Sequence, residues 1–381
     1  SYTYAPYADD ENHITSHMTS MRYTFGGKQT FADYSYDNIG NIKTESYKYD
    51  GSIYSNVSYT YDSANRLQTE EYGADNVGVS PYKVTYTYDA YGNIKSALRE
   101  SGALVTSQTY SYSNSARNDL LTMYNGRTIT YDAIGNPLTY FNGTEYTFNW
   151  KGAKQLNDVT IGEQKINYEY NHRGVRTKKG VVGKYSDNYI LDGNKLVAME
   201  RTTIGSNKKD VYRFIYDETG NIWSAICYIG GSTTPVRYYY RTNAQGDVRQ
   251  IVDKDNNVIA YYAYDAWGKP LAILDGNNSE ITDSTHFAIV NPFRYRGYIY
   301  DSETGLYYLQ SRYYDPIVRR FINADEQINQ SGNISGFNLF AYADNSPSTA
   351  IDPSGTSAVG LMEIVSRIAY YCSNPEKLLV H

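Results

Sequence analysis

Few side chains in this 381-residue chain stand in patterns that could do metal or nucleophile chemistry. His13 and His17 are four residues apart, a spacing that on a helix would suit a metal ion. Tyrosine-rich strand patterns flank them and no carboxylate motif accompanies them, so a solvated turn is the expectation. His172 takes the place of a turn residue and His286 lies in a polar stretch, neither with a nucleophile partner in view. Cys227 and Cys372 are too few for a disulfide framework or a thiolate metal site, and they say little about redox compartment. No glycine-rich phosphate loop joins a strand to a helix, and no Gly-x-Ser-x-Gly elbow occurs. No metal and no cofactor is therefore expected.

The charge balance narrows the partners. Thirty-five Lys plus Arg against 41 Asp plus Glu give a net charge of -6 with no basic block, which disfavours nucleic acid. Short runs such as Lys208-Lys209-Asp210 read as a solvated hairpin face. Mean hydropathy is -0.60 and no apolar run approaches the roughly 18 residues of a membrane span. The chain opens at Ser1 without an export signal, so any such signal is expected to be removed or to lie outside it.

The elements that position any site announce themselves through tyrosine, of which there are 45 against 10 phenylalanines and 3 tryptophans. Many come as Tyr-x-Tyr, including Tyr34/Tyr36, Tyr59/Tyr61, Tyr86/Tyr88, Tyr110/Tyr112, Tyr168/Tyr170 and Tyr262/Tyr264. Residues i and i+2 of a strand share a face, and large rings pack well on a pleated surface, so each pair marks one ringed face of a strand. A turn signature follows several pairs, as in Tyr36-Asp37-x-x-Gly40-Asn41, Tyr88-Asp89-x-x-Gly92-Asn93, Tyr131-Asp132-x-x-Gly135-Asn136 and Tyr216-Asp217-x-x-Gly220-Asn221. Asp at the first position can accept a backbone N–H two residues on, and Gly or Asn later tolerates positive φ. Strand, turn and strand make a hairpin that recurs about every 20 to 27 residues as far as about residue 300. Length alone suggests two or three domains, but repetition overrules that count. The prediction is an all-β chain of stacked antiparallel hairpins in one continuous, twisted sheet. The rings have a second reading, because exposed tyrosines can stack on sugars. Their number fits cross-strand ladders within the sheet better.

Tyr-Asp-x-x-Gly-Asn at this period resembles the YD repeat of the RHS (rearrangement hot spot) proteins. The segment from Pro292-Phe293-Arg294-Tyr295-Arg296-Gly297-Tyr298 through Leu309-Gln310-Ser311-Arg312-Tyr313-Tyr314-Asp315-Pro316 to Arg320-Phe321-Ile322-Asn323 is similar to the RHS-associated core. The likeness continues through Asn338-Leu339-Phe340-Ala341-Tyr342 to Ile351-Asp352-Pro353-x-Gly355. Repeats and core together cover residues 2–355. The resemblance implies a sheet that spirals into an open shell or cup, closed at one end by the core, with a variable C-terminal effector beyond, usually a toxin. It divides the chain into a YD-repeat spiral at 1–291, the core at 292–355 and the start of the variable region at 356–381. The family includes secreted polymorphic toxins, the cocoon-forming parts of insecticidal toxin complexes and, more distantly, the teneurins. The wording here looks most like versions from Gram-positive bacteria. A secreted or cell-surface location, an immunity or delivery partner and the chain's own C-terminal effector follow as implied partners, with surface carbohydrate as the partner of an adhesive alternative.

In several RHS families the core cuts its own chain just after Asp-Pro-x-Gly with two aspartates, and the matching positions are Asp325 and Asp352. Two carboxylates held close cannot both ionise easily, so one can polarise the scissile carbonyl while the other activates water. The resemblance puts the cut just after Thr356, with Arg320 as a charge partner. Asp-Pro and Asp-x-x-Gly are also ordinary turn chemistry. Glu326 and Thr356 stand where proteolytic members usually have proline and leucine, which weighs towards simple turn capping. Beyond the core, Val359, Leu361, Met362, Ile364, Val365, Ile368 and Ala369 recur at three- and four-residue intervals and predict a short amphipathic helix that stops near Pro375.

Overall fold

In a computed structural model, the structure describes residues 2–7, 10–25, 27–325, 338–356 and 358–360. Each Tyr-x-Tyr-Asp segment is a strand ending in a closed turn. At Asp37 one carboxylate oxygen accepts the N–H groups of Ile39 (3.0 Å) and Asn41 (2.9 Å), and the other accepts the Asn41 side-chain amide (2.9 Å). Asp89 and Asp132 do the same in their repeats, Asp62 takes the Arg66 guanidinium in place of the amide, and Asn171 substitutes for aspartate by taking the N–H groups of Arg173 and Val175. The asparagine then hands the chain of bonds on, since the Asn41 amide also donates to Asn65 and the Asn93 amide to the Asn118 carbonyl.

The period has an equally direct cause in the second tyrosine of several pairs. Its hydroxyl donates to the backbone carbonyl just past the turn of the preceding repeat: Tyr61 to Ile42 (2.6 Å), Tyr88 to Leu67 (2.6 Å) and Tyr112 to Ile94 (3.0 Å). Each repeat thereby satisfies a carbonyl and buries a ring that the repeat before it cannot cover alone.

Among the described residues the strands form an 11-stranded sheet and a 14-stranded sheet, each antiparallel and in strict chain order. They run from Tyr2–Tyr7 to Arg127–Thr128 and from Thr130–Tyr131 to Pro270–Leu274. The single expected sheet is thus parted at Ile129. A 4-stranded sheet from Ile299–Asp301 to Arg320–Phe321 belongs to the core segment, and Ala350–Ile351 pairs with Val359–Gly360. Hence the tail enters as a strand where the helix was expected, while residues 361–381 lie outside the described ones. His13 and His17 also depart from expectation, because both lie on the strand Asp10–Phe25 and the His17 ring stands edge-on to Tyr36 at 4.7 Å. His286 caps the short helix Phe287–Val290, its Nδ1 accepting the Ala288 N–H at 3.1 Å.

The ringed faces turn inward. The spiral brings the last repeats over the first, where Tyr47 stacks on Tyr261 at 6.1 Å and the Tyr34 hydroxyl accepts the Ala244 N–H at 3.0 Å. Glu70 is fully buried in this seam and accepts the Tyr82 hydroxyl (2.7 Å), the Tyr86 hydroxyl (3.3 Å) and the Ala266 N–H (3.0 Å). Burial, reinforced by nearby Asp265, pushes the Glu70 carboxyl up to about 7. The middle of the second sheet closes on the core hairpin through Arg176, whose guanidinium donates to both oxygens of Asp301 at 2.5 and 3.0 Å. Lys179 lies 2.9 Å from Glu303 and 3.5 Å from Asp301, and the two cations hold both acids below the usual carboxylate range against the opposing effect of burial.

Candidate functional site

Three separate stretches of the core meet at one guanidinium. The strands Leu306–Tyr308 and Tyr313–Asp315 form a hairpin, and Arg312 projects from its connecting turn. Asp325 follows the strand Arg320–Phe321, its N–H held by the Leu339 carbonyl at 3.0 Å. Asp352 follows Ala350–Ile351, its N–H donating to the Tyr298 hydroxyl at 3.0 Å. Arg312 Nη2 is 2.9 Å from Asp325 Oδ2 and 3.2 Å from Asp352 Oδ2, so a single nitrogen holds the two carboxylates together. Arg312 and Asp352 are buried, whereas Asp325 keeps partial exposure.

The segment ahead of Thr356 is held from several sides. Asp352 Oδ1 accepts the N–H groups of Gly355 (2.8 Å) and Thr356 (3.0 Å), which is the turn cap that its sequence context predicts. Arg312 Nε and the Ser311 hydroxyl (2.8 Å) both donate to the Gly355 carbonyl, and the same hydroxyl lies 2.7 Å from the Ser354 carbonyl. Gly355 is required here twice over: its φ is +77°, and a Cβ would stand 2.7 Å from Ser311 Oγ and 2.9 Å from the Leu309 carbonyl oxygen. A cleft of about 400 Å³ opens beside the pair, lined by Lys154, Gln155, Arg173, Arg312, Asp325 and Thr356 among others.

The structure brings Asp325 and Asp352 together on Arg312 and sets Arg320, the expected charge partner, elsewhere. Arg320 donates to the Tyr112 hydroxyl at 2.9 Å and to the Asp119 carbonyl, and it lies over the Phe340 ring at 4.8 Å. It ties the core to the first sheet, so Arg312 replaces it as charge partner. Both arginines stand in the motif that carries the family likeness, and nothing in their local sequence says which one faces the acids. Burial lowers the Arg312 guanidinium's proton affinity, and Asp325 and then Asp352 oppose that. A cation bonded to both carboxylates also offsets the repulsion between them on which a shared proton would depend. The site sets the Gly355 carbonyl, held by two donors, beside two acids on one cation, and of the two acids only Asp325 lines the cleft. Among the described residues no group of three or more His, Cys, Asp or Glu is placed to bind a metal ion.

Comparison with known proteins agrees with this architecture. The chain is 34% identical over 275 residues to the tRNA3(Ser)-specific nuclease WapA of Bacillus spizizenii, covering 71% of this chain and 11% of that protein. It is 27% identical over 317 residues to the toxin subunit YenC1 of Yersinia entomophaga, covering 77% of this chain and 31% of that one. The solved structure of TcdB2-TccC3-Cdc42 superposes with a TM-score of 0.74 at 18% identity, over 96% of this chain and 18% of that one. This chain thus spans only about a tenth of the WapA protein. Residues 15–348 match the teneurin YD-shell model, and the chain, with its tyrosine-bonded repeats wound around an inserted core, belongs to the teneurin YD-shell family.

Proposed function

We propose that this chain is the closing end of a YD shell that holds a C-terminal effector, and that Asp325 and Asp352 cut the chain just after Thr356. The spiral at 1–291 would form the wall, the core at 292–355 the plug, and the region from 356 onward the start of the cargo. The observation that carries this reading is the meeting of Asp325 and Asp352 on one nitrogen of Arg312, directly beside the backbone of residues 354–356. In the proposed step Asp325, which lines the cleft, takes a proton from water as the hydroxyl attacks the carbonyl. The proton then passes to the leaving nitrogen, and Arg312 supplies the positive charge that polarises the site. The donors meet the Gly355 carbonyl, one residue before the bond after Thr356, so the mass of the product decides the position.

The shell reading carries with it a secreted or surface-attached bacterial location and a delivery or immunity partner. No helix among the described residues is long and apolar enough to cross a membrane. The adhesive alternative is disfavoured because the rings a sugar would stack on, such as Tyr47, Tyr168 and Tyr261, are buried. Intact mass spectrometry of the purified chain tests the chemistry. Loss of residues 357–381, abolished by Asp325→Asn or Asp352→Asn, is the expected result. A wild-type chain that keeps its full mass after prolonged incubation would refute the cut and leave both aspartates as turn caps.

A further inference from the structure

The carboxylate that faces the cleft is anchored by a residue the core does not own. Lys154 sits just past the tight turn between the strands Glu145–Lys151 and Gln155–Ile161, where Gly152 and Ala153 have φ of +52° and +69°. Its ammonium crosses 170 residues of sequence to donate to the Ala324 carbonyl at 2.9 Å. Ala324 is buried and immediately precedes Asp325. The turn that bears Lys154 is fastened in its own right, since the Asn136 side chain donates to the Ala153 carbonyl at 2.6 Å. Gly135 of that same Tyr-Asp turn packs under Ala324, where a Cβ would come within 3.4 Å of the alanine methyl. Lys154, Arg312, Asp325 and Thr356 line one cleft.

From this placement we infer that Lys154 is a positioning residue for Asp325, so that the cutting site is complete only when the 132–155 repeat is seated against the core. The inference rests on the self-cleavage reading for its consequence and on the geometry for its cause. The peptide group between Ala324 and Asp325 is held at its carbonyl by Lys154 and at its N–H by Leu339. A charge-assisted bond fixes the orientation of that peptide, and with it the direction in which the carboxylate leaves the backbone. A displacement of about 1 Å at a reacting group can cost about a hundredfold in rate. Cleavage would then wait on folding of the shell wall, because a core docked without this repeat lacks the bond that aims its acid.

The test uses the full chain. Lys154→Met should slow the appearance of the cut product at least about tenfold, with the melting temperature held close to wild type, and Lys154→Arg should restore most of the rate. A Lys154→Met chain that cuts at the wild-type rate overturns the inference. If the wild-type chain does not cut, the self-cleavage reading falls by itself, and hydrogen exchange decides the positioning role. Faster exchange of the Asp325 amide in Lys154→Met, with the remaining strands unchanged, supports it; unchanged exchange at Asp325 refutes it.

Discussion

Replacing Asp301 by asparagine should unseat the core from the shell wall. The substitution keeps the shape of the side chain and removes its charge, leaving Arg176, whose side chain is 0% exposed, without its bidentate partner at 2.5 and 3.0 Å. Lys179 loses one of three acids, keeping Glu303 at 2.9 Å and Asp187 at 3.8 Å, so the uncompensated charge falls on Arg176. A buried ion pair broken on one side costs about 3–5 kcal/mol, because the surviving charge stays desolvated. An exposed pair such as Lys178 and Glu169, 3.0 Å apart with side chains 38% and 62% exposed, contributes about 0–1 kcal/mol in the same sheet. Urea unfolding followed by near-ultraviolet circular dichroism reads the difference, with Glu169→Gln as control. Arg176→Met combined with Asp301→Leu should recover much of the loss, since removing both charges removes the desolvation cost. The same lock steadies the hairpin of Arg312, because the Arg176 N–H donates to the Tyr308 hydroxyl at 3.0 Å and its guanidinium lies over the Tyr308 ring at 4.4 Å. A shift of under about 1 kcal/mol for Asp301→Asn, or one equal to Glu169→Gln, would refute the reasoning.

Two other perturbations follow from the packing. Glu70 titrates at about 7 in the folded chain, above its unfolded value, so its contribution to stability is present at mildly acidic pH and lost as pH rises through 7. Unfolding free energy should fall by about 1 kcal/mol between pH 6 and pH 8 from this group, and Glu70→Gln should flatten that dependence. Gly268→Ala should destabilise by about 3 kcal/mol or prevent folding, because its Cβ would lie 2.5 Å from the Tyr295 ring, while Gly27→Ala, with open space around it, should cost about 1 kcal/mol in thermal melts.

What consecutive residues determine here is local. The two-residue period of tyrosine selects strands and one buried face, Asp and Gly at set offsets close the turns, and the repeat length stacks the hairpins in chain order. The meeting of Asp325 and Asp352 was legible only through likeness to a family motif. The tertiary structure alone decided that Arg312 and not Arg320 stands between them, that Lys154 reaches Ala324, and that Glu70 is sealed under the last repeat. Strand pairing and turn closure are settled within a few residues. Contacts between distant repeats depend on twist summed over every strand in between, and no short stretch of sequence carries that sum.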